Sequence, residues 1–321
     1  MTTRPVVCVT SIVPGLSVVV RQLLPAVEVL DAAPDRDGKA QIPVNTEVLF
    51  GDTPSIISFI NEGQGSLKWA QSTWAGVESL FEAFPKQPEG ITITRMGDGF
   101  GRLMAEYVVG HVLARELSIL NLHQQQQQKL WEKSSVKDRR MLTSLTIGVL
   151  GAGSISTEIA QLCKAVGMTV WGLSRSKKEN STFDCLVTLP DLTSFLEGCD
   201  YICNVLPSTS ETKDMFSGDV LKCCKSKSPV FINVGRGSII NEDSLFCALE
   251  NGWLRGAVLD VFNAEPLPPE SRLWSHPAVT VTPHVSGPSL AENIAKVFVS
   301  NYEKYTQRKT LDYVVDWGKG Y

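Results

Sequence analysis

Three polar signals each follow an apolar run in the second half of the chain, and their side-chain types suit chemistry at a carbonyl group. The first is Arg236 between two glycines in Asn233-Val-Gly-Arg-Gly237. The second is Leu259-Asp260-Val-Phe-Asn-Ala-Glu265-Pro266, and the third is Thr282-Pro-His284. A histidine with a carboxylate partner can be held cationic near neutral pH and can donate a proton to a carbonyl oxygen. An arginine between glycines is poorly placed for a surface role and well placed as a planar fork for a carboxylate. Arg236 would then anchor the acid group of a small substrate while His284 serves its carbonyl. Singly, each residue has a plainer reading: a strand-end histidine can be structural, and Glu265 beside a proline can be a solvated loop charge. Their joint occurrence behind a nucleotide-type motif favours catalysis.

That motif is Thr146–Ser156, Thr-Ile-Gly-Val-Leu-Gly-Ala-Gly-Ser-Ile-Ser. An apolar strand over 145–150 runs into Gly151-x-Gly153, and a helical pattern opens directly behind it. Gly151 permits a tight turn, and Gly153 lets the backbone approach a pyrophosphate at a helix N-terminus. Ile155, Ile159, Leu162, Cys163 and Val166 recur at helical spacing. Gly167 stands where a C-cap belongs, and 168–173 reads as the second strand of a βαβ unit. Ser156 replaces the third glycine of the fingerprint, whose task is helix–strand packing, so a slightly displaced helix with retained binding is expected. A βαβ unit that holds no nucleotide is the alternative the motif alone leaves open.

Strand and helix patterns alternate along nearly the whole chain, which argues α/β architecture with parallel sheets. Further strands are expected at 5–13, 47–50, 201–206, 230–234, 257–261 and 279–282. Thr53-Pro54 should open a helix with a cap and an N1 proline, and Met104–Asn121 should form one long amphipathic helix. Asn241 is expected to cap a helix that ends at Gly252, and Ser289-Leu-Ala-Glu292 reads as the capping box of a C-terminal helix. The Gln124–Gln128 run reads as a solvated extension of the long helix, with a dimer contact as the second reading.

At 321 residues the chain suits two domains, and its formal net charge of −4 comes with no basic run to track nucleic acid. No apolar stretch reaches bilayer-spanning length, and the N-terminus lacks the basic and apolar regions of a signal peptide. The eight cysteines show no zinc-type Cys-x-x-Cys pair. Several, Cys163 and Cys247 among them, fall on apolar helix faces, as buried reduced thiols of a cytosolic protein would. Metal ligation, membrane insertion and nucleic-acid binding are therefore not expected, and a cytoplasmic location is.

In these pieces the chain resembles the D-isomer-specific 2-hydroxyacid dehydrogenases. Met-Ala-Glu-Tyr-Val (104–108), Gly-Ala-Gly (151–153), Leu-Pro-Ser-Thr-Ser-Glu-Thr (206–212), Asn-Val-Gly-Arg-Gly (233–237), Leu-Asp-Val-Phe (259–262) and Thr-Pro-His (282–284) occur in the family's order. Ser-Arg-Ser (174–176) and Thr-Trp-Ala-Gly-Val (73–77) look most like the A-type glyoxylate/hydroxypyruvate reductases. The resemblance implies two Rossmann-like/flavodoxin-like domains with parallel sheets and a cleft between them. Residues 1–104 with 286–321 would form a discontinuous substrate-binding domain, and 105–285 the nicotinamide dinucleotide-binding domain. It further implies Arg236 as the anchor of a 2-keto acid, His284 as general acid and Glu265 as its orienting partner. Trp74, Ala75 and Gly76 would meet the substrate. Met104, Gly151, Gly153, Ser154, Ile155, Leu206, Pro207, Thr212 and Val234 would line the cofactor, and Asp260 would hold its nicotinamide carboxamide. A homodimer through the nucleotide domain, embraced by the extension from His123 to Arg140, is also implied.

The end of the second strand bears on which cofactor binds. NAD binders usually place an acid about 20 residues after the glycines. Here Ser174-Arg175-Ser176-Lys177-Lys178 stands instead, with no acid before Glu179. A cation and hydroxyls suit a 2′-phosphate, so NADPH is expected, with NADH as the second option; a solvated basic turn is the plainer reading. The expected activity is NADPH-dependent reduction of glyoxylate or hydroxypyruvate to the D-2-hydroxy acid. The alternatives are an NAD(P)H-sensing, corepressor-like interaction protein and another D-2-hydroxyacid dehydrogenase, such as a phosphoglycerate dehydrogenase relative.

Overall fold

The structure, a computed structural model, describes residues 5–63, 65–176, 181–318 and 320. Lys177, Lys178 and Glu179 of the basic turn lie outside the described residues. The chain forms two compact units, passing from the first to the second between Phe100 and Gly101 and returning between Pro288 and Ser289.

The first unit contains β1 (Val7–Thr10), α1 (Leu16–Leu23), β2 (Val29–Asp31), β3 (Val48–Gly51), α2 (Thr53–Asn61), β4 (Trp69–Ser72), α3 (Glu78–Ala83) and β5 (Thr92–Thr94). Its five strands are parallel in the order β2-β1-β3-β4-β5. The second unit contains α4 (Gly101–Glu116), α5 (Ile119–Gln127), β6 (Thr146–Leu150), α6 (Ser154–Ala165), β7 (Thr169–Leu173), β8 (Cys185–Val187), α7 (Leu192–Gly198), β9 (Tyr201–Asn204), β10 (Val230–Asn233), α8 (Glu242–Glu250), β11 (Gly256–Leu259) and β12 (Val279–Val281). Its seven strands, also parallel, run β12-β11-β10-β9-β6-β7-β8. Strand order reverses between β6 and β9, the place where open α/β sheets bind ligands beyond their carboxyl ends. Strands such as β9 and β10 are buried along their whole length, as parallel strands covered on both faces must be.

The last helix, α9 (Ala291–Thr306), belongs to the first unit because of its aromatic face. The Phe298 ring stacks on Phe50 at 4.4 Å and on Trp69 at 5.3 Å, and all three side chains are buried. Asn301 Nδ2 donates to Gln71 Oε1 at 3.0 Å, which joins the C-terminal helix to β4.

Three local expectations are corrected. The helix expected over 104–121 is two helices, because Ser118 takes a left-handed backbone (φ 53°) and donates its N–H to Arg115 O. The Ser289/Glu292 pair forms no capping box. Leu290 is the N-cap, and the Ser289 hydroxyl instead donates to Thr73 O at 3.5 Å. Thr53 is not a cap either: α2 starts after Asp52, whose buried carboxylate accepts from Ser11 Oγ, Ile12 N and Thr73 Oγ1. Asn241, by contrast, caps α8 by accepting from Ser244 N at 2.8 Å. All eight cysteines are free; Cys163 is buried, which pushes its thiol up to about 12, and Cys247 is half-buried against the core.

At the amino edge of the second sheet, the buried carboxylate of Glu116 accepts from Arg140 Nη2 (2.6 Å), the Tyr201 hydroxyl (2.7 Å) and Arg255 Nη2 (3.0 Å). Removing one partner from a buried ionic cluster strands the remaining charges. Glu116→Ala is therefore expected to lower unfolding stability by about 3 kcal/mol in urea titration. An unchanged midpoint and slope would count against this hub.

Candidate active site

The strand carboxyl ends of the second unit collect most of the residues singled out above. Gly151 follows β6 with φ 112°, a conformation that favours glycine. A side chain at Gly153, the N-cap of α6, would meet nothing within 4 Å, so its backbone is open to a bound group. The α6 N-terminus opens at this turn, and a helix N-terminus suits an anion. Ser156 packs under the turn, 2% exposed, where a Cβ on Gly151 would stand 3.2 Å from its hydroxyl.

β9 and β10 both end in asparagine, Tyr-Ile-Cys-Asn204 and Val-Phe-Ile-Asn233, and the two residues are register partners. Asn204 Nδ2 donates to Asn233 Oδ1 at 2.9 Å, Asn204 Oδ1 accepts from Leu206 N, and Asn233 Nδ2 donates to Arg236 O. The pair thus shapes the Leu206-Pro207 turn and the Gly-Arg-Gly turn together. Gly237 is required by close approach: a Cβ there would fall 2.0 Å from the Phe262 carbonyl carbon. Arg236 is half-buried and donates from Nη1 to Gly235 O at 2.8 Å. Val234 is buried, with its N–H on Asn204 O. Thr212 turns its hydroxyl back to Pro207 O at 2.6 Å, closing the 207–212 loop on itself.

After β11 and β12 come the remaining two signals. His284 Nδ1 lies 2.8 Å from Glu265 Oε2, and Glu265 Oε1 accepts from Phe262 N at 2.9 Å. An ionised carboxylate only accepts, so Nδ1 carries the proton and Nε2 is left for exchange with another molecule. The His284 side chain is 55% exposed and that of Glu265 36%, so the pair adds little to stability and is open to a ligand. His284 itself has a left-handed backbone (φ 53°), sparsely populated for a histidine and typical of sites where the surroundings over-determine the chain.

Asp260 explains how that conformation is held. Its side chain is fully buried; Oδ1 accepts from Thr282 Oγ1 (2.6 Å) and Val285 N (2.9 Å), and Oδ2 from Ser286 N (2.8 Å). Its backbone oxygen accepts from His284 N at 2.9 Å. The sequence motifs contain Asn233 and Thr282 without a role for either, and they miss Asn204 and the anchoring role of Asp260; these residues form the frame. A polar residue closing an otherwise apolar buried strand was the available signal.

At the end of β7, Ser174 Oγ donates to Ser176 O at 2.6 Å, and Arg175 Nε lies 3.9 Å from Glu211 Oε2 with both side chains exposed. Met104, on α4, is 7% exposed. Trp74, Ala75 and Gly76 belong to the first unit, in the turn after β4. Trp74 is 37% exposed, its N–H donates to Ser72 Oγ, and the turn is tied down through Thr73 and Asp52.

The family model for the NAD binding domain of D-isomer specific 2-hydroxyacid dehydrogenases matches residues 109–286, more than half of the chain. The chain belongs to this family. As a D-2-hydroxyacid dehydrogenase it is an NAD(P)-dependent oxidoreductase acting on CH–OH groups. It is similar over its length to a family protein from Aeromonas salmonicida, at 34% identity, with 98% of this chain and 100% of that chain covered and a TM-score of 0.86. A dehydrogenase of the family from Xanthobacter autotrophicus, in complex with NADPH and MES, matches at 27% identity, with coverage of 99% and 100% and a TM-score of 0.86. An NADPH-dependent glyoxylate/hydroxypyruvate reductase from Sinorhizobium meliloti, in complex with NADP and sulfate, matches at 26% identity, with coverage of 99% and 100% and a TM-score of 0.82. Among the described residues of this dehydrogenase no group of three or more His, Cys, Asp or Glu is placed to hold a metal, and no helix is long and apolar enough to cross a membrane.

Proposed function

We propose that this dehydrogenase reduces a small 2-keto acid, glyoxylate or hydroxypyruvate, to the D-2-hydroxy acid with NADPH. The observation that carries the reading is the exposed Glu265–His284 pair on the carboxyl edge that also bears Gly151-x-Gly153 and Arg236. The open backbone at Gly153 and the start of α6, with Ser154 and Ile155, fit a pyrophosphate. Met104, Leu206, Pro207, Thr212 and Val234 are assigned to the rest of the cofactor. Asp260, fully buried, is assigned to the carboxamide end of the cofactor through the 282–286 segment that it fastens.

Bound there, the reduced nicotinamide supplies a hydride. Arg236 anchors the substrate carboxylate through its planar fork and stabilises charge developing on the keto oxygen. His284, doubly protonated, donates its Nε2 proton to that oxygen, and Glu265 steadies the imidazolium through Nδ1. Trp74, Ala75 and Gly76 are assigned to the substrate. The residues 101–288 form the dinucleotide-binding domain in this reading, and the first unit the substrate-binding one.

NADPH preference rests on Arg175, Ser174 and Ser176 at the end of β7. Glu211 is the competing acid; its contact with Arg175 is long and exposed, so a dianionic phosphate can displace it. Two of the three similar structures named above hold NADPH or NADP. The test is absorbance at 340 nm with NADPH and NADH against glyoxylate, hydroxypyruvate and phosphohydroxypyruvate. Rapid oxidation of NADPH by either of the first two is expected, with Arg175→Ala reducing the NADPH/NADH ratio about tenfold through loss of a charged contact. Tight NADPH binding without turnover would instead favour a sensing role.

A cytosolic homodimer is part of the proposal. The eight free cysteines suit a reducing compartment. Between α4 and β6, Leu120, Leu130, Trp131 and Met141 are 60%, 54%, 93% and 73% exposed, a concentration of apolar surface that suits burial by a second copy. Light scattering at twice the chain mass is the expected result.

A further inference from the structure

A hydrogen-bond chain reaches from a helix outside the sheet to the backbone of His284. The Tyr107 hydroxyl, on α4, lies 2.6 Å from Thr282 Oγ1, and Thr282 Oγ1 lies 2.6 Å from Asp260 Oδ1. The direction follows from donor supply. A carboxylate only accepts, so Thr282 spends its one proton on Asp260, and Tyr107 must donate to Thr282. Burial pushes the Tyr107 phenol up to about 12, so it remains a donor at neutral pH. Asp260 passes the constraint on through Val285 N and Ser286 N, the two N–H groups directly after His284, while its own carbonyl takes His284 N. The segment 282–286 is therefore fastened on both sides of a residue in a sparsely populated conformation.

We infer that Tyr107 is a positioning residue for His284, acting through Thr282 and Asp260 to hold the imidazole against Glu265. This rests on His284 being the general acid of the proposed reaction. Tyr107 has no need to touch substrate or cofactor to act in this way. Its ring packs on His111 with centroids 4.4 Å apart, a contact that phenylalanine keeps, so Tyr107→Phe removes the donor and little else. Misplacing a reacting group by a fraction of an ångström is costly to rate and nearly silent in cofactor affinity.

The experiment uses the full chain carrying Tyr107→Phe, with Thr282→Val as a second break in the same relay and Thr282→Ser as the conservative variant that restores the hydroxyl. Turnover, KM, NADPH affinity by fluorescence titration, and imidazole ¹⁵N spectra are recorded. The chain has four histidines, so the His284 signal is identified as the one missing from His284→Gln. In Tyr107→Phe and Thr282→Val, kcat should fall about tenfold, the loss expected for one buried hydrogen bond. NADPH affinity should stay within twofold, and the His284 signal should shift or broaden while those of His123 and His276 hold. Thr282→Ser should recover most of kcat. Turnover within twofold of the parent together with an unmoved His284 signal in both breaking variants would overturn the inference. Should His284→Gln keep full activity, the proposed reaction fails, and the response of the His284 signal still decides whether Tyr107 positions it.

Discussion

His284→Ala is expected to lower kcat by about 10²–10⁴-fold, the range that a positioned general acid contributes. Nε2 is the only imidazole nitrogen left for exchange once Nδ1 meets Glu265 at 2.8 Å, so no second atom of this residue can take over. The side chain is 55% exposed, so little buried surface is lost with it and the variant should fold as the parent does. NADPH affinity should stay within twofold, because the residues assigned to the cofactor do not include His284. Stopped-flow oxidation of NADPH in a single turnover reads the chemical step directly. Parent-like rates would sink the mechanism, whereas a loss confined to NADPH affinity would move His284 from proton transfer to cofactor binding.

Replacing Arg236 by Gln is expected to cost about 10³-fold in kcat/KM, equivalent to about 4 kcal/mol, since a desolvated carboxylate would lose its charged fork. The loss should appear in both KM and kcat, because the fork holds the acid in the ground state and meets growing oxygen charge in the transition state. Arg236→Lys restores the charge but not the planar pair of donors, so it should recover only part of the loss. The backbone here is held by Asn233 and by the close approach of Gly237 to Phe262 as well as by the guanidinium bond to Gly235 O, so the turn should survive substitution. A variant with KM and kcat within threefold of the parent would remove Arg236 from the substrate site. Either outcome is read from initial rates over a range of keto acid concentrations.

The two expectations separate because the groups sit on different strands. Arg236 follows β10, His284 follows β12, and Glu265 lies in the connection after β11. A general loss of folding would lower both rates together with thermal stability, while loss of one role leaves the other readouts intact.

Much of this protein was legible in the chain because the signals are local. The strands expected at 145–150, 201–206 and 230–234 form at Thr146–Leu150, Tyr201–Asn204 and Val230–Asn233, and Gly151 and Gly167 stand where φ is positive, at 112° and 92°. The family followed from short motifs in order, and those motifs hold Arg236 and His284, with Glu265 shortly after Leu-Asp-Val-Phe. What the chain could not state is which donor meets which acceptor over long separations. Ser289 had the spacing of a capping box, yet a carbonyl 216 residues away, Thr73 O, took its proton. Met104–Asn121 had one periodicity, yet Ser118 turns left-handed beside Glu116, whose carboxylate is claimed by arginines and a tyrosine from elsewhere in the unit. Asp260 read as a ligand for the cofactor, and only the fold shows its carboxylate buried and shared among Thr282, Val285 and Ser286. Tyr107 and Thr282 stand 175 residues apart, and no pattern in either segment points to the other. Backbone conformation is set largely by neighbours along the chain, so it can be read from sequence. Hydrogen-bond partnership is set by which groups are buried together, and that is decided only once the sheet has closed over them.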